Sequence, residues 1–376
     1  MIILEQVQIN TAFSILLIIL LGHAYFNTNR RKITNKLFLW IIGLTCFILN
    51  LETASVLLND ANFKQFIVLH KMVDMLGFIL APIILYLGYI FSKEWVNRYQ
   101  KEKIKTNYIL LLPLFINGIA TLISYNGSGL FYITNNNIYQ RGNLFYILPC
   151  VCYIYFIYNL YFLYKQRKKL NDSELIIFSL FYIVPAIFTL IQLMYPIYLT
   201  TWNSAAMITV VTYVFILNDQ SHRDSLTGLE NRLSYEHYAE NIDYKKHNKL
   251  FMVYIDIDKF KAINDLYVHC EGDEALKAFA DLMVKSFLPI KKKLIRLGGD
   301  EFLILFEETK PEKVANHIEN LIQHMEDYNN LEGRPYRLKF SYGMAGYGND
   351  NENIHELLEC ADQLMYEQKQ SRKSED

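Results

Sequence analysis

Leu294-Ile295-Arg296-Leu297-Gly298-Gly299-Asp300-Glu301-Phe302-Leu303-Ile304-Leu305-Phe306 is two apolar runs separated by a pair of glycines and a pair of acids. Short β-rich runs on either side of such a pair predict a β-hairpin. Upstream, Phe251–Ile257 (FMVYIDI) is another apolar, β-rich run that reads as a buried strand. If that strand neighbours the hairpin, Asp256 at its end meets Asp300 and Glu301 of the turn at one edge of a sheet. Hard oxygen ligands in that position suit Mg²⁺ or Mn²⁺, ions that neutralise phosphate and lower the pKa of an attacking hydroxyl. Gly298 and Gly299 let backbone and phosphate approach where a Cβ would obstruct. Taken alone, Gly298–Phe302 also suits an ordinary acidic turn, because Gly and Asp are favoured in turns.

Moving outward, Phe260–Tyr267 and Asp273–Phe287 have helical periodicity, Pro311–Tyr328 reads as a helix and Tyr336–Gly346 as a strand. Asn353–Arg372 reads as a closing helix with Leu357, Leu358, Ala361, Leu364 and Met365 on one stripe. The order β-α-α-β-β-α-β-α predicts an α/β domain, a sheet flanked by helices.

Five separated motifs, Asp224–Arg232 (DSLTGLENR), Asp256–Asp265 (DIDKFKAIND), Gly298–Phe302 (GGDEF), Phe340–Gly343 (FSYG) and Ala361–Tyr366 (ADQLMY), together resemble the GGDEF domain of the diguanylate cyclase family in order and spacing. They cover essentially all of residues 221–376. The resemblance implies a palm-like fold shared with nucleotidyl cyclases and polymerases, GTP as substrate and cyclic di-GMP as product. It implies Asp256, the Ile257 carbonyl and Asp300 as ligands of two Mg²⁺ or Mn²⁺ ions. Asp300 or Glu301 would assist deprotonation of the ribose 3′-hydroxyl. Asn264 and Asp273 would hydrogen-bond the guanine edge, Lys261 and His269 would lie near the nucleotide, and Lys369 matches a phosphate-binding lysine. Three departures stand out. Val268, not Gly, precedes His269; Arg372-Lys373 follows where Gly-Arg is usual, either cation being able to serve the phosphate; and the Arg-x-x-Asp product site of the family falls on Pro289–Lys292, where neither residue occurs.

The rest of the chain is chemically different. Residues 1–220 hold 16 Lys/Arg and 9 Asp/Glu, whereas residues 221–376 hold 21 and 29. So few charges exclude a single water-soluble globule, and scarce Gly and Pro exclude a disordered or collagen-like chain. The five cysteines form no spacing of a disulfide framework or zinc site, and Cys150 and Cys152 suit small buried apolar positions. Seven stretches suit membrane-spanning helices, roughly Ile9–Phe26, Leu37–Leu58, Met72–Phe91, Tyr108–Ser124, Leu144–Tyr164, Glu174–Met194 and Thr201–Leu217. No basic region precedes the first, so it is expected to remain as a helix and not to be cleaved as a signal peptide. Thirteen Lys/Arg fall in the loops after the first, third and fifth spans and three in the other loops, which predicts an N-terminus outside and a charged half in the cytoplasm. The outer loop Tyr125–Asn143 suits either a ligand lid or a plain connection.

Glu52, well inside the second span, and His70 and Asp74, four apart on one helix face at the outer mouth of the third, are sensor candidates, able to bind a ligand, a metal or a proton, or to make interhelical hydrogen bonds. The seven-span region resembles, on span number, Leu51-Glu52 and Ala81-Pro82, the sensor regions of some bacterial histidine kinases and cyclases. The expected organisation is therefore a seven-helix all-α sensor domain at 1–217, a short helical connector at 218–223 and an α/β cyclase domain at 224–376. The expected protein is a multi-pass cell-membrane diguanylate cyclase, homodimeric because each domain holds one GTP, surrounded by lipid, answering to an unnamed ligand, with no nucleic-acid partner. The alternatives are a silent GTP-binding GGDEF receptor, against which the intact acids at 256, 300 and 301 argue, and a regulated transporter, against which the lack of an internal repeat argues.

Overall fold

The computed structural model describes residues 2–28, 32–98, 104–127, 129–195, 200–242, 250–287, 292–306, 311–330, 336–347 and 353–375. The chain divides into two compact units, Met1–Ile216 and Leu217–Asp376.

The first unit consists of helices α1 (Ile2–Asn27), α2 (Ile33–Leu58), α3 (Ile67–Asn97), α4 (Leu111–Ile123), α5 (Ile147–Gln166), α6 (Asp172–Met194) and α7 (Thr201–Ser221), the last running across the division. Six of them are long and apolar enough to cross a membrane. The fourth expected span differs: a 3-10 turn and α4 together cover only Tyr108–Ile123. Sixteen residues rising about 1.5 Å each give about 24 Å, short of the roughly 30 Å hydrocarbon core. Lys93, expected in a loop, lies inside α3, where its ammonium donates to Thr106 Oγ1 at 2.7 Å and pairs with Glu94. The expected outer loop contains a small antiparallel hairpin, β1 (Phe131–Ile133) and β2 (Tyr139–Arg141), with Phe131 opposite Arg141.

The second unit has β3 (Glu230–Asn231), α8 (Arg232–Asn241), β4 (Phe251–Ile257), α9 (Phe260–Ser286), β5 (Lys292–Gly298), β6 (Glu301–Phe306), α10 (Pro311–Asn329), β7 (Phe340–Gly346) and α11 (Ile354–Glu375). Its five strands lie in the order β3-β5-β6-β4-β7, all antiparallel neighbours except β3 and β5. The apolar runs of β4 and β6 are continuous because both faces of the sheet are covered. Val253, Ile255, Ile257, Phe302, Ile304 and Phe306 pack with Phe279, Met283 and Ile318 of α9 and α10. Met252, Tyr254, Leu303 and Leu305 pack on the opposite face with Tyr235 of α8 and Leu357, Ala361 and Met365 of α11. Leu364, expected on the buried stripe of α11, is 40% exposed, because it falls one residue off the 357-361-365 spacing.

The two helices expected at Phe260–Tyr267 and Asp273–Phe287 form one helical element, α9, but it is bent. In a straight helix Asn264 and Gly272 stand about 12 Å apart. Here an ideal Cβ on Gly272 would overlap Asn264 Oδ1. Bond lengths then limit the two Cα atoms to about 8 Å. Gly272 permits that close approach because it has no Cβ.

Candidate active site

Strand alternation decides which way the acids face. Residues 252, 254 and 256 of β4 share the face covered by α11, and Asp256 lies at the strand end, directly opposite Glu301 in register. The hairpin turn is fastened to the same edge, since the Ile257 amide donates to the Asp300 carbonyl at 3.2 Å. Gly299 sits at φ +50, a left-handed conformation natural to glycine, so the turn closes within two residues. Among the described residues, and apart from its immediate chain neighbours, no atom lies within 4 Å of an ideal Cβ on Gly298 or Gly299, so the backbone of the turn faces open space.

The expected sites at Asp256, Ile257, Asp300 and Glu301 therefore meet at one sheet edge, with Gly298 and Gly299 beside them. Burial raises the Asp256 carboxyl; Lys369 opposes that by donating to it, and the charges of Asp300 and Asp258 raise it further. Asp256 and Asp300 are close enough for their charges to interact and Glu301 stands opposite Asp256, hard oxygen donors of the type that suits Mg²⁺ or Mn²⁺, although among the described residues no three such side chains are grouped closely enough to hold a metal ion as they stand. Burial and the nearby Glu301 carboxylate also raise the Tyr254 phenol, which is hydrogen-bonded to Glu301.

The C-terminal helix brings the cations. Lys369 Nζ pairs with Asp256 Oδ1 at 2.5 Å, so the lysine expected at a phosphate meets a carboxylate, the same edge of β4 being where α11 ends its course over the sheet. Arg372 reaches Asp258 at 3.5 Å and donates to the Phe340 carbonyl at 2.6 Å, while Ser341 donates to Asp258 at 2.7 Å. Asn264 is half-buried and Lys261 and Asp273 are exposed; the bend in α9 draws the Asn264 and Asp273 segments together. The side chains of His269 and Lys373 lie outside the described residues, as do Pro289, Ile290 and Lys291 of the expected product site.

Sequence reasoning missed the scaffold behind the turn. Arg296 donates to the Gly299 carbonyl at 2.8 and 3.1 Å and to Asp224 Oδ1 at 3.0 Å, clamping the hairpin turn to the Asp224–Arg232 loop. Asp224 Oδ1 also accepts from the Thr227 amide and hydroxyl. Burial would raise the Asp224 carboxyl, but Thr227 and Arg296 outweigh it and hold it below its ordinary value. The signal was Asp224 at the start of the first motif and Arg296 two residues before Gly298, but nothing in their spacing of 72 residues announced the pair.

In the first unit, Glu52 Oε2 accepts from Asn10 at 3.3 Å. His70 is buried and shares a 3.0 Å hydrogen bond with Asn137 Oδ1, and Asp74 Oδ2 lies 3.6 Å from His70 Nε2. The structure thus brings together His70 and Asp74 and joins both to the hairpin region.

A five-stranded sheet covered on both faces, with acids at the mouth of a Gly-Gly hairpin, defines an α/β domain of the class expected for this half of the chain. Residues 221–375 match the family model described as Diguanylate cyclase, GGDEF domain, and this part of the chain is a GGDEF domain. Among curated proteins, it is 33% identical over 159 residues to the uncharacterized protein YhcK of Bacillus subtilis, covering 40% of this chain and 44% of that one. It is 34% identical over 157 residues to the diguanylate cyclase DgcM of Escherichia coli, covering 41% of this chain and 37% of that one. The chain thus spans less than half the length of these relatives. Among solved structures, the coiled coil and GGDEF domain of DgcB from Caulobacter crescentus, in complex with c-di-GMP, is 21% identical with a TM-score of 0.41, covering 45% of this chain and 91% of that one.

Proposed function

We propose that this protein is a membrane-bound diguanylate cyclase that condenses two GTP into cyclic di-GMP and two pyrophosphates under the control of its helical first unit. The observation that carries the reading is the meeting of Asp256, Asp300 and Glu301 beside the open backbone of Gly298-Gly299. Asp256, the Ile257 carbonyl and Asp300 would hold two divalent ions, which supply charge against the phosphates and acidify the 3′-hydroxyl. Asp300 or Glu301 takes the proton from that hydroxyl, and the Tyr254 hydrogen bond orients Glu301 for it. Asn264 and Asp273 supply a donor and an acceptor to one edge of guanine, with Lys261 and His269 nearby. Lys369 sits on Asp256 and is within reach of the triphosphate site; Lys373 is the second cation of that helix end. Each domain carries one GTP, so two copies face each other, each 3′-oxygen attacking the α-phosphate of the other copy's nucleotide.

In this reading residues 1–217 are a seven-span sensor, 218–223 the connector and 224–376 the cyclase. The short fourth helix crosses the membrane too. With six crossings, the basic loop after α5, holding Lys165, Arg167, Lys168 and Lys169, would fall on the side opposite the basic residues after α1 and α3. The test is direct: purified protein incubated with GTP and Mg²⁺ should yield cyclic di-GMP, and Asp300→Asn should lower the rate by several powers of ten, as expected for a lost ligand in a two-metal site. Absence of product from the wild type overturns the cyclase reading, and near-normal turnover by Asp300→Asn overturns the metal assignment.

A further inference from the structure

The first unit holds a half-open cavity of about 700 Å³ between its helices, within the range of small-molecule sites. Its wall is chiefly apolar, and among the described residues the charged side chains on it are Glu52, Asp74 and Arg141. Arg141 and Tyr139 belong to β2, so the outer hairpin forms part of the wall.

The three charges are not equally engaged. The Arg141 guanidinium lies over the Phe145 ring at 4.3 Å. Glu52 accepts from Asn10, and Gln192 is hydrogen-bonded to it as well. Asp74 differs. Its side chain is 4% exposed; Ser55 is hydrogen-bonded to the carboxyl group, but Oδ2 itself accepts no hydrogen bond among the described residues. The neighbouring imidazole does not supply one. Asn137 donates through Nδ2 to the carbonyls of Leu58 and Phe63, which fixes its Oδ1 as an acceptor. The proton of neutral His70 must therefore sit on Nδ1, toward Asn137, and its Nε2 presents a lone pair, not a donor, to Asp74. Asp74 lines the cavity, and a buried carboxylate oxygen without a donor is costly, so a ligand N–H that reaches this carboxyl group removes that cost.

We propose that this cavity is the binding site for a small organic cation, an ammonium group on an apolar body, with the ammonium seated on Asp74 and the body among the apolar walls. Two acids against one stacked arginine favour a cation over an anion, and 700 Å³ is far more than a bare metal ion fills. The proposal deepens the sensor reading of the first unit, but its test contains no GTP and so succeeds or fails apart from the cyclase reading.

The full-length protein in lipid nanodiscs is titrated calorimetrically with three probes of similar shape: 2-phenylethylammonium, 2-phenylethanol and 3-phenylpropionate. The ammonium should bind at least about tenfold more tightly than the alcohol, as for a hydrogen bond to a charged group, and the anion most weakly. In Asp74→Asn, isosteric and still polar, the preference for the ammonium should collapse to within about threefold. Equal binding of ammonium and alcohol by the wild type overturns the proposal, as does failure of the ammonium to bind. A preference that persists in Asp74→Asn overturns the seat, and a phospholipid found by mass spectrometry in the cavity, undisplaced by the ammonium, shows a lipid site instead. If the variant does not fold, the three probes on the wild type still decide.

Discussion

Gly272→Ala separates stability from activity at one position. The residue lies in α9 with φ outside the left-handed region, so alanine fits its backbone without strain. Replacing glycine by alanine in a helix interior stabilises by about 0.5–1 kcal/mol. For a unit of this size that raises the melting temperature by about 1–4 °C. The new methyl group would overlap Asn264 Oδ1, the far end of a flexible side chain, which can turn aside at little cost to the fold. Turning aside moves the amide that the proposed reading places on guanine. Losing that hydrogen bond and leaving its partner unpaired costs about 1–3 kcal/mol, or roughly 5- to 150-fold. The expected variant is therefore as stable as the wild type or slightly more so, with KM for GTP raised by about one to two powers of ten. Steady-state cyclic di-GMP synthesis and thermal unfolding of the same preparation measure both quantities. An unchanged KM would refute the role of Asn264, and a large fall in melting temperature would show that Asn264 cannot turn aside at little cost to the fold.

Further expectations concern product, topology and pH. Progress curves of synthesis should stay linear as product accumulates, because Lys292 donates to the Phe287 carbonyl and Lys293 pairs with Glu230, leaving neither for product phosphate; curves that bend and are restored by removing cyclic di-GMP would contradict this. Burial also pushes the Lys292 ammonium down to about 8, which further weakens it as an anion site in alkaline assays. A topology reporter fused at Leu217 should be active only in the cytoplasm and one placed within Tyr125–Asn143 only outside; the reverse at either site means that a span was miscounted. Asp224 is held below its ordinary carboxyl value, so the stability it contributes is present at neutral pH and is lost as pH falls through its lowered folded value. Acid unfolding of Asp224→Asn should accordingly be shallower than that of the wild type; identical acid transitions would remove Asp224 from the clamp.

Much of the second unit was legible because two-sided burial leaves a plain mark. Phe251–Ile257 and Phe302–Phe306 are apolar on both faces, and a Gly-Gly-Asp-Glu turn between strands has few other conformations, so strand, hairpin and the meeting of Asp256 with Asp300 could be read in order. Charge sparsity and helical length likewise marked the apolar helices of the first unit. Local pattern did not carry the rest. The bend that makes α9 one element depends on Asn264 meeting Gly272 across a turn, a contact invisible to periodicity. The clamp of Arg296 on Asp224 and the pairing of Lys369 with Asp256 join residues 72 and 113 apart, and side-chain type alone leaves each of these cations several partners. His70 and Asp74 were legible as a pair four residues apart. That His70 spends its proton on Asn137 and leaves Asp74 Oδ2 without a donor among the described residues was decided only when the hairpin folded over the helices, because the direction of a hydrogen bond depends on what the partner has already donated.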